Sequence, residues 1–305
     1  MIKSVTITNP TGEEVTINLG DVEPASGLFI TEIEGLGPPK ADINLTALAA
    51  RDGSMYNSSR ANERNIILHI RYINVGSVED VRLLTYRYFP LKKQVKLHIE
   101  TENRIVEVEG YVESNEPDIF SKEESATISI LCESAWLKDA SDTGTQIIDF
   151  SDIVSLFEFE FWDENSKSPT IEFSSIEIKR ENTITYRGEA DTGFIMRMFI
   201  EGPVTNPIIY NLETRESMRI DTTKVAKIIG SSVNAGDTII INSKANEKSI
   251  RLIRAGLSYS ILNAIDVNSA WFILHQGDNI FSYTADTGEL NIVFQIESQI
   301  LLQGV

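Results

Sequence analysis

Residues 105–109 read IVEVE, and this alternation of apolar and acidic side chains decides the fold class of the chain. Alternate side chains of a β-strand point to opposite faces, so the run indicates a strand with one buried face. Residues 126–131 (ATISIL) and 157–161 (FEFEF) repeat the pattern. The side chains that we expect to be buried on this basis are Cys132, Phe157, Phe159, Phe161 and Ile239.

Further short β-rich runs extend the pattern along the whole chain. They are Val5–Thr8, Leu28–Ile33, Ile66–Ile73, Val95–Glu100, Ile176–Ile178, Ile195–Ile200, Thr238–Ile241, Ile250–Ile253 and Leu290–Ile296. Polar turn residues such as Asn9–Gly12 and Asn234–Asp237 separate them. Many short strands joined by polar turns are typical of β-sandwiches and barrels.

One segment has the period of a helix instead. Val81, Leu84 and Tyr88 fall at i, i+3 and i+7, so they can form one apolar stripe that packs on a sheet. Ser77 is expected to cap the helix, and Pro90 ends it. The sequence therefore predicts an all-β protein with one short helix, from Ser77 to Phe89.

Length and charge limit the function classes. The 305 residues suffice for two domains with proper cores. There are 27 Lys and Arg against 45 Asp and Glu, a net charge of −18, which disfavours a surface that grips nucleic acid or an acidic membrane. The single cysteine, Cys132, excludes an internal disulfide. No run approaches the ~18 apolar residues of a membrane span, so we expect a soluble acidic protein made in a cytoplasm.

Two segments interrupt the strand pattern. From Gly35 to Arg64 no apolar period is sustained, which is typical of an arm, a lid or an insertion. Residues 137–145 (LKDASDTGT) are small and polar and follow Trp136, so we place a linker there. The predicted domains are residues 1–136, with an arm at about 35–64, and residues 146–305.

The tripeptide Asp-Thr-Gly occurs three times, at Asp142–Gly144, Asp191–Gly193 and Asp286–Gly288. Aspartic proteases use two such loops to bring two carboxylates together. The flanking residues here are mostly small and polar, whereas that dyad needs apolar flanks. Tight turns between strands also require Asp and Gly, so turns are favoured over an aspartic hydrolase.

Other candidate side chains are weaker still. His69 and His98 lie in alternating strands with no second ligand at i+2 or i+4 and are interpreted as ordinary sheet residues, and Cys132 as a buried, inert thiol. Trp162 and Trp271 can stack on sugars but are read first as core residues. Possible calcium ligands lack the spacing of an EF-hand; they are Asp21, Glu23, Asp278 and Asp286. The sequence thus predicts no catalytic, cofactor or metal site.

The order of short motifs along the chain resembles the distal tail proteins of tailed phages and prophages. In the first half these motifs are Gly35–Pro38, the helix Ser77–Phe89, Arg104–Val106, Gly110–Val112, Ser129–Cys132 and Trp136. In the second half they are Tyr186–Ala190, Gly193–Phe194, Asn206–Pro207, Gly236–Asn242, Ser269–Trp271, Leu274, Gly277–Asn279 and Tyr283. The sequence departs from the family at Glu133–Ala135, where members often have prolines.

The resemblance implies an N-terminal β-sandwich with a helix and a protruding hairpin arm, followed by a galectin-like sandwich. It also implies a hexameric hub ring without a catalytic site or cofactor, located in the virion tail and assembled in the host cytoplasm. The implied partners are the tail-tube protein, a tail-associated hub or lysin protein and receptor-binding proteins. Genomic DNA is expected to pass through a neutral or electronegative lumen without specific binding.

Within this reading, the arm is expected to reach onto a neighbouring subunit and hold the ring together. The candidate interface residues are Gly35, Pro38, Pro39, Asp52, Gly53 and Arg64, with Asp52–Gly53 as the hairpin tip. The alternative function is a carbohydrate-binding module of a virion or cell-surface protein that uses Trp162 or Trp271. No His-x-Asn-Pro-Arg strand, through which galectins grip sugar, is present.

Overall fold

The structure is a computed structural model that describes residues 1–20, 24–48, 52–73, 77–121, 123–155, 174–178 and 181–305. These residues form two compact units. The first comprises Met1–Gly144 and Leu301–Val305, and the second comprises Thr145–Ile300. Within the described residues, no helix is long and apolar enough to cross a membrane.

The first unit is built from antiparallel strands and one helix, α1. The strands are β1 (Ile2–Thr8), β2 (Glu14–Asn18), β3 (Leu28–Glu34), β4 (Ala41–Ala47), β5 (Ser54–Ala61), β6 (Arg64–Tyr72), β7 (Gln94–Thr101), β8 (Ile105–Asp118), β9 (Ser125–Cys132) and β10 (Leu137–Asp139). Helix α1 is Val78–Tyr88, between β6 and β7. The main sheet has the order β2-β1-β7-β8-β9-β6-β3.

The alternation in residues 105–109 corresponds to strand β8, as predicted. Val106 and Val108 are buried, whereas Glu107 and Glu109 point to the other face. On that face the carboxylate of Glu107 lies 2.7 Å from the ammonium group of Lys96 on β7. The pleat therefore places apolar residues in the core and pairs charges outside.

Helix α1 confirms the predicted helix. Its buried side chains are Val81 and Thr85, and the latter lies within hydrogen-bonding distance of the Tyr72 hydroxyl at the end of β6. Ser77 occupies the N-cap position, but its side chain makes no capping hydrogen bond. Packing on the sheet, rather than capping, accounts for the position of α1.

The chain returns to the first unit at its end. Strand β23 (Leu301–Leu302) pairs with β10, which pairs in turn with β8. Residues 137–139, which the sequence assigns to a linker, are thus a strand of the first unit, and Leu137 is fully buried. The sequence carries no local signal for this return because the two pairing segments are remote in the chain.

The second unit contains the remaining strands and a second helix, α2. The strands are β11 (Thr145–Asp149), β12 (Ser151–Ser155), β13 (Ser174–Ile178), β14 (Glu181–Tyr186), β15 (Ile195–Ile200), β16 (Thr205–Asn211), β17 (Glu216–Arg219), β18 (Thr238–Asn242), β19 (Ser249–Arg254), β20 (Leu257–Ser260), β21 (Gly277–Thr287) and β22 (Ile292–Gln299). The short 3-10 helices are Leu262–Ala264 and Glu289–Asn291.

Two antiparallel sheets of the second unit enclose an aromatic core. Their orders are β11-β22-β15-β18-β19-β20 and β14-β21-β16-β17, and β12 pairs with β13. Tyr283 of β21 and Phe294 of β22 have ring centroids 5.5 Å apart, and Phe150 lies 4.8 Å from Phe294. Side chains from one sheet therefore pack on those of the other, which defines a sandwich.

The second helix, α2 (Thr222–Ile229), corrects the prediction of a single helix. The carboxylate of Asp221 accepts hydrogen bonds from the backbone of Thr223 and Lys224, and Gly230 ends the helix at φ 79°. An N-cap Asp and a C-cap Gly are ordinary signals of helix ends, so the sequence did contain the boundaries of α2. The helix was missed because eight residues are too few to show a clear helical period.

The predicted burial is confirmed where it can be compared. Cys132 and Ile239 are both fully buried. Phe157, Phe159, Phe161 and Trp162 lie outside the described residues.

We expect Phe294→Ala to lower the free energy of unfolding of the second unit by roughly 3–5 kcal/mol, because it leaves a cavity between the two sheets. The matched control is Phe199→Ala on the neighbouring strand β15, where the side chain is 37% exposed. Denaturant unfolding followed by aromatic fluorescence compares the two. Equal losses in both variants would contradict the assignment of this core.

Candidate functional site: an exposed hairpin arm

Residues 35–64 contain a hairpin that is not hydrogen-bonded into the main sheet of the first unit. Strands β4 and β5 pair only with each other, and nearly all of their residues are exposed. Asp52 and Gly53 directly precede β5 and are exposed too. We call residues 41–61 the arm.

The two faces of the arm differ in polarity. Ile43 and Leu45 lie on one face of β4, and Tyr56 is directly opposite Leu45 on β5. Their exposed fractions are 61%, 55% and 59%. Small residues (Ala41, Ala47, Ser54, Ser59 and Ala61) complete this surface, which contains no charge. We call it the apolar face of the arm.

The other face is mainly polar. Asp42 pairs with Arg60 across the hairpin at 3.2 Å. Hydrogen bonds from Asn62 and Arg60 hold the pKa of Asp42 below its ordinary value. Asn44 and Thr46 lie on the same face, beside the more apolar Met55. The arm is therefore amphipathic, although both of its faces meet solvent.

A register shift in the hairpin creates the apolar face. The pairing moves from Asn44↔Ser58 to Leu45↔Tyr56, so that Asn57 is an extra residue on β5. A bulge of this kind changes which side chains share a face. Without it, Asn57 would lie opposite Leu45. Apolar and polar residues alternate along residues 41–47 (ADINLTA), and this alternation could have indicated an apolar face from the sequence. In β5 the extra residue Asn57 interrupts the alternation, so the sequence does not show which residues of β5 share that face.

The entry to the arm requires glycine at position 35. Gly35 has φ 83°, and a Cβ atom there would lie 1.9 Å from the carbonyl oxygen of Asn65. Any other residue would collide with the backbone of β6. The strand that leaves the sheet and the strand that returns to it are thus in close contact.

Arg64 anchors the base of the arm through hydrogen bonds. Its guanidinium donates hydrogen bonds to the carbonyl oxygens of Gly35 and Gly37 at the arm entry, of Ala135 after β9, and of Gln303 near the chain end. The Arg64 residue is 2% exposed. Among the described residues it has no carboxylate partner, so four carbonyl groups replace the water that the cation loses.

The six residues that the sequence proposed as interface residues occupy different surroundings. Gly35, Pro38, Asp52 and Gly53 are exposed, and Pro39 is half-buried. Arg64 is buried beneath the arm, so it anchors the arm within its own chain rather than presenting a contact surface. An interface role for the other five stays a prediction.

The Asp-Thr-Gly tripeptides lie in separate settings. Residues 142–144 form a turn in the first unit, as expected. In the second unit, Asp191 lies 3.0 Å from the imidazole of His275, whereas Asp286 at the end of β21 pairs with Arg219 at 2.6 Å. These two carboxylates contact different side chains, His275 and Arg219, so they do not form the predicted alternative of a shared-proton dyad.

The remaining candidate metal ligands that the structure describes lie in strands. His69 and His98 lie in β6 and β7, as predicted, and His69 contacts Glu34 at 3.0 Å. Asp21 and Glu23 lie outside the described residues, whereas Asp278 accepts a hydrogen bond from Thr185. Within the described part of the chain, no group of three or more His, Cys, Asp or Glu is arranged to hold a metal ion.

Trp271 is not the core residue that the sequence suggested. It is half-buried in a segment without strand structure, and the ammonium group of Lys248 lies 5.5 Å from the centre of its ring. This cation–π contact occupies a face that a sugar would need for stacking. The buried residues beside it are Phe272 and Leu274.

Comparisons with known proteins identify the fold. No family model and no curated protein matches the sequence. Among solved structures, the chain is similar to the Dit protein of phage SPP1, described as a paradigm of the hub adsorption apparatus in phages that infect Gram-positive bacteria. The TM-score is 0.65 at 11% identity, over 98% of this chain and 99% of that chain. A chain of the phage P2 baseplate in its activated, calcium-containing conformation gives a TM-score of 0.50 at 12% identity, over 98% and 99% of the two chains.

At this level of identity the likeness shows the fold. The chain has the fold of a phage distal tail, or hub, protein from end to end. This confirms, for the fold, the resemblance that the ordered sequence motifs indicate, and it confirms the mostly-β fold class.

Replacing Arg64 by Met tests the anchoring of the arm. We expect the unfolding free energy of the first unit to fall by roughly 3 kcal/mol, because buried carbonyl groups lose a charged donor. The control is Arg60→Met, which removes an exposed guanidinium and is expected to change stability by less than about 0.5 kcal/mol. Denaturant titration measures both, and a variant as stable as the parent would contradict the anchoring role.

The buried thiol provides a further prediction. Burial, opposed by the nearby charge of Arg64, raises the pKa of Cys132 to about 11. At pH 8 only about 0.1% of the thiol is then ionised, so the native protein should not react with Ellman's reagent within an hour. The denatured protein should react fully within minutes. Rapid stoichiometric reaction of the native protein would show that the site is accessible.

Proposed function

We propose that this protein is a structural component of a phage or prophage tail, where it forms the hub ring that connects the tail tube to the tail tip or baseplate. The observation that carries the proposal is the apolar face of the arm, a charge-free surface exposed to solvent on an anchored base. The whole-chain likeness to the SPP1 hub protein supports it.

The arm supplies the means of assembly. A two-stranded hairpin is at best marginally stable in water, so an ordered arm gains stability from a second surface. In a closed ring each subunit offers its neighbour the same acceptor, and no contact is left open. We therefore infer a homo-oligomer, with six copies as the family resemblance implies.

The same proposal assigns partners and location. The tail-tube protein binds one side of the ring, a tail-associated hub or lysin protein binds the other, and receptor-binding proteins attach outside. The second unit, a two-sheet sandwich, is inferred to be galectin-like but silent toward saccharides. The ring is assembled in the host cytoplasm and lies in the virion tail, and genomic DNA passes through the lumen during ejection without specific binding. The protein acts as a building block and not as an enzyme.

The test is the solution mass with and without the arm. Residues 41–61 are replaced by a short Gly/Ser linker, while Gly35, Gly37 and Arg64 are kept so that the base stays intact. Light scattering at several concentrations is expected to give six times the 34.1 kDa of the chain for the parent and a folded monomer for the variant.

The matched control keeps the arm and changes only its polar face, by Asn44→Ser and Thr46→Ser. It is expected to assemble like the parent. A parent that stays monomeric at every concentration would refute a ring formed by this chain, and an arm-less variant of unchanged mass would refute the role of the arm.

A further inference from the structure

We propose that the apolar face of the arm docks on the outer face of helix α1 in a second copy of this chain. The inference rests on the proposed function, because it names the surface that receives the arm. It begins from the apolar side chains that the first unit leaves exposed.

The outer face of α1 exposes two large apolar side chains. Leu83 and Tyr86 lie one turn apart, opposite the buried Val81 and Thr85, and are 53% and 41% exposed. Leu91, just after the helix, is 56% exposed. Such a helix normally shows polar residues on its solvent side, so this surface is typical of one that is covered by a partner.

Both arginines beside this surface are already paired within the chain. Arg82 lies 3.5 Å from Glu79, and Arg87 forms a bidentate ion pair with Glu13 from the turn between β1 and β2. Hydrogen bonds from Arg87 and Asn9 lower the pKa of Glu13 to about 2, so the pair stays charged at neutral pH. Asp80 lies in the first turn, where the helix dipole favours a carboxylate.

Pairing matters because the apolar face of the arm brings no charge with it. An apolar surface that covers an unpaired charge removes its hydration without replacement, which is costly. Covering Leu83 and Tyr86 leaves each neighbouring ion pair with its own partner. The polarity of the two surfaces therefore matches.

The other exposed apolar groups of the first unit fit the arm less well. Tyr111 and Leu131 are cross-strand partners, but Glu113 and Glu133 beside them have no cationic partner among the described residues. Phe120, 96% exposed at the β8–β9 turn, is close in sequence to Asp118, Glu123 and Glu124, of which only Glu123 has a cationic partner among the described residues, Arg71 at 3.4 Å. Docking the arm on either surface would cover carboxylates that have no cationic partner among the described residues.

The geometry of the contact suits a ring. The arm and α1 are different surfaces of the same unit, so the contact is head-to-tail and repeats from copy to copy. Strands of seven and eight residues reach about 25 Å, enough to cross onto a neighbouring unit.

Crosslinking in the full-length chain tests the docking site. Leu45→Cys and Leu83→Cys are combined, and the assembled protein is treated with a short bismaleimide. Denaturing electrophoresis should show a ladder of linked subunits. The background is low because the only natural cysteine, Cys132, is fully buried.

Two controls distinguish the surfaces. Thr46→Cys with Leu83→Cys places the thiol on the opposite face of the arm, and we expect linking at least tenfold slower. Leu45→Cys with Leu131→Cys tests the rival surface on β9 and should link no faster than this control. Independently, Tyr86→Glu should raise the concentration for half-assembly at least tenfold, whereas Tyr111→Glu should change it less than twofold.

The outcomes separate the two proposals. If light scattering shows the oligomer but Leu45→Cys and Leu83→Cys do not link, or link no faster than the Thr46→Cys control, the docking site is wrong and the hub ring stands. Efficient linking to Leu131→Cys would move the docking site to the β9 surface. If the parent does not assemble, the hub ring and the docking site both fail.

Discussion

The hydrogen bonds of one buried guanidinium support the functional part of the first unit. Arg64 lies where the arm returns to the sheet, and it holds the carbonyl groups of the arm entry, of the segment after β9 and of the last residues of the chain. An arginine placed in a low-dielectric interior needs several acceptors to replace its hydration, and a planar five-donor group can satisfy them together. The base of the arm therefore depends in part on residues remote in the sequence, Ala135 and Gln303.

That support explains how an exposed hairpin keeps a defined direction. Within its own strands the arm has only a short ladder, one ion pair and a few side-chain hydrogen bonds, none of which gives much stability in water. Gly35 permits the close approach of the arm entry to β6, and the hydrogen bonds of Arg64 to Gly35 and Gly37 hold the entry in that position. The arm can then present its apolar face without loss of orientation, which lowers the entropic cost of binding.

Charge restricts how copies of this chain can assemble. Each copy carries a net charge of −18, so subunits repel one another at long range. Contacts between copies are best made where charges are absent or already paired. The apolar face of the arm meets the first condition, and the arginines beside Leu83 and Tyr86 on α1 meet the second. Near Tyr111 and Phe120, by contrast, most of the acidic residues have no cationic partner among the described residues.

The sequence by itself determined the class of the fold, because period-two alternation such as IVEVE in β8 follows directly from the geometry of a strand. It also determined α1 and the presence of an arm, since both depend on local period or on its loss. It could not determine the bulge at Asn57, the pairing of β10 with β23 or the four acceptors of Arg64. Each of these joins segments by register or by contacts across up to 239 positions of the chain. Only the tertiary structure decided that Arg64 is an anchor and that Ile43, Leu45 and Tyr56 share one exposed face. Strand register and long-range contacts are properties of the packed chain, whereas strand period is a local property of the sequence.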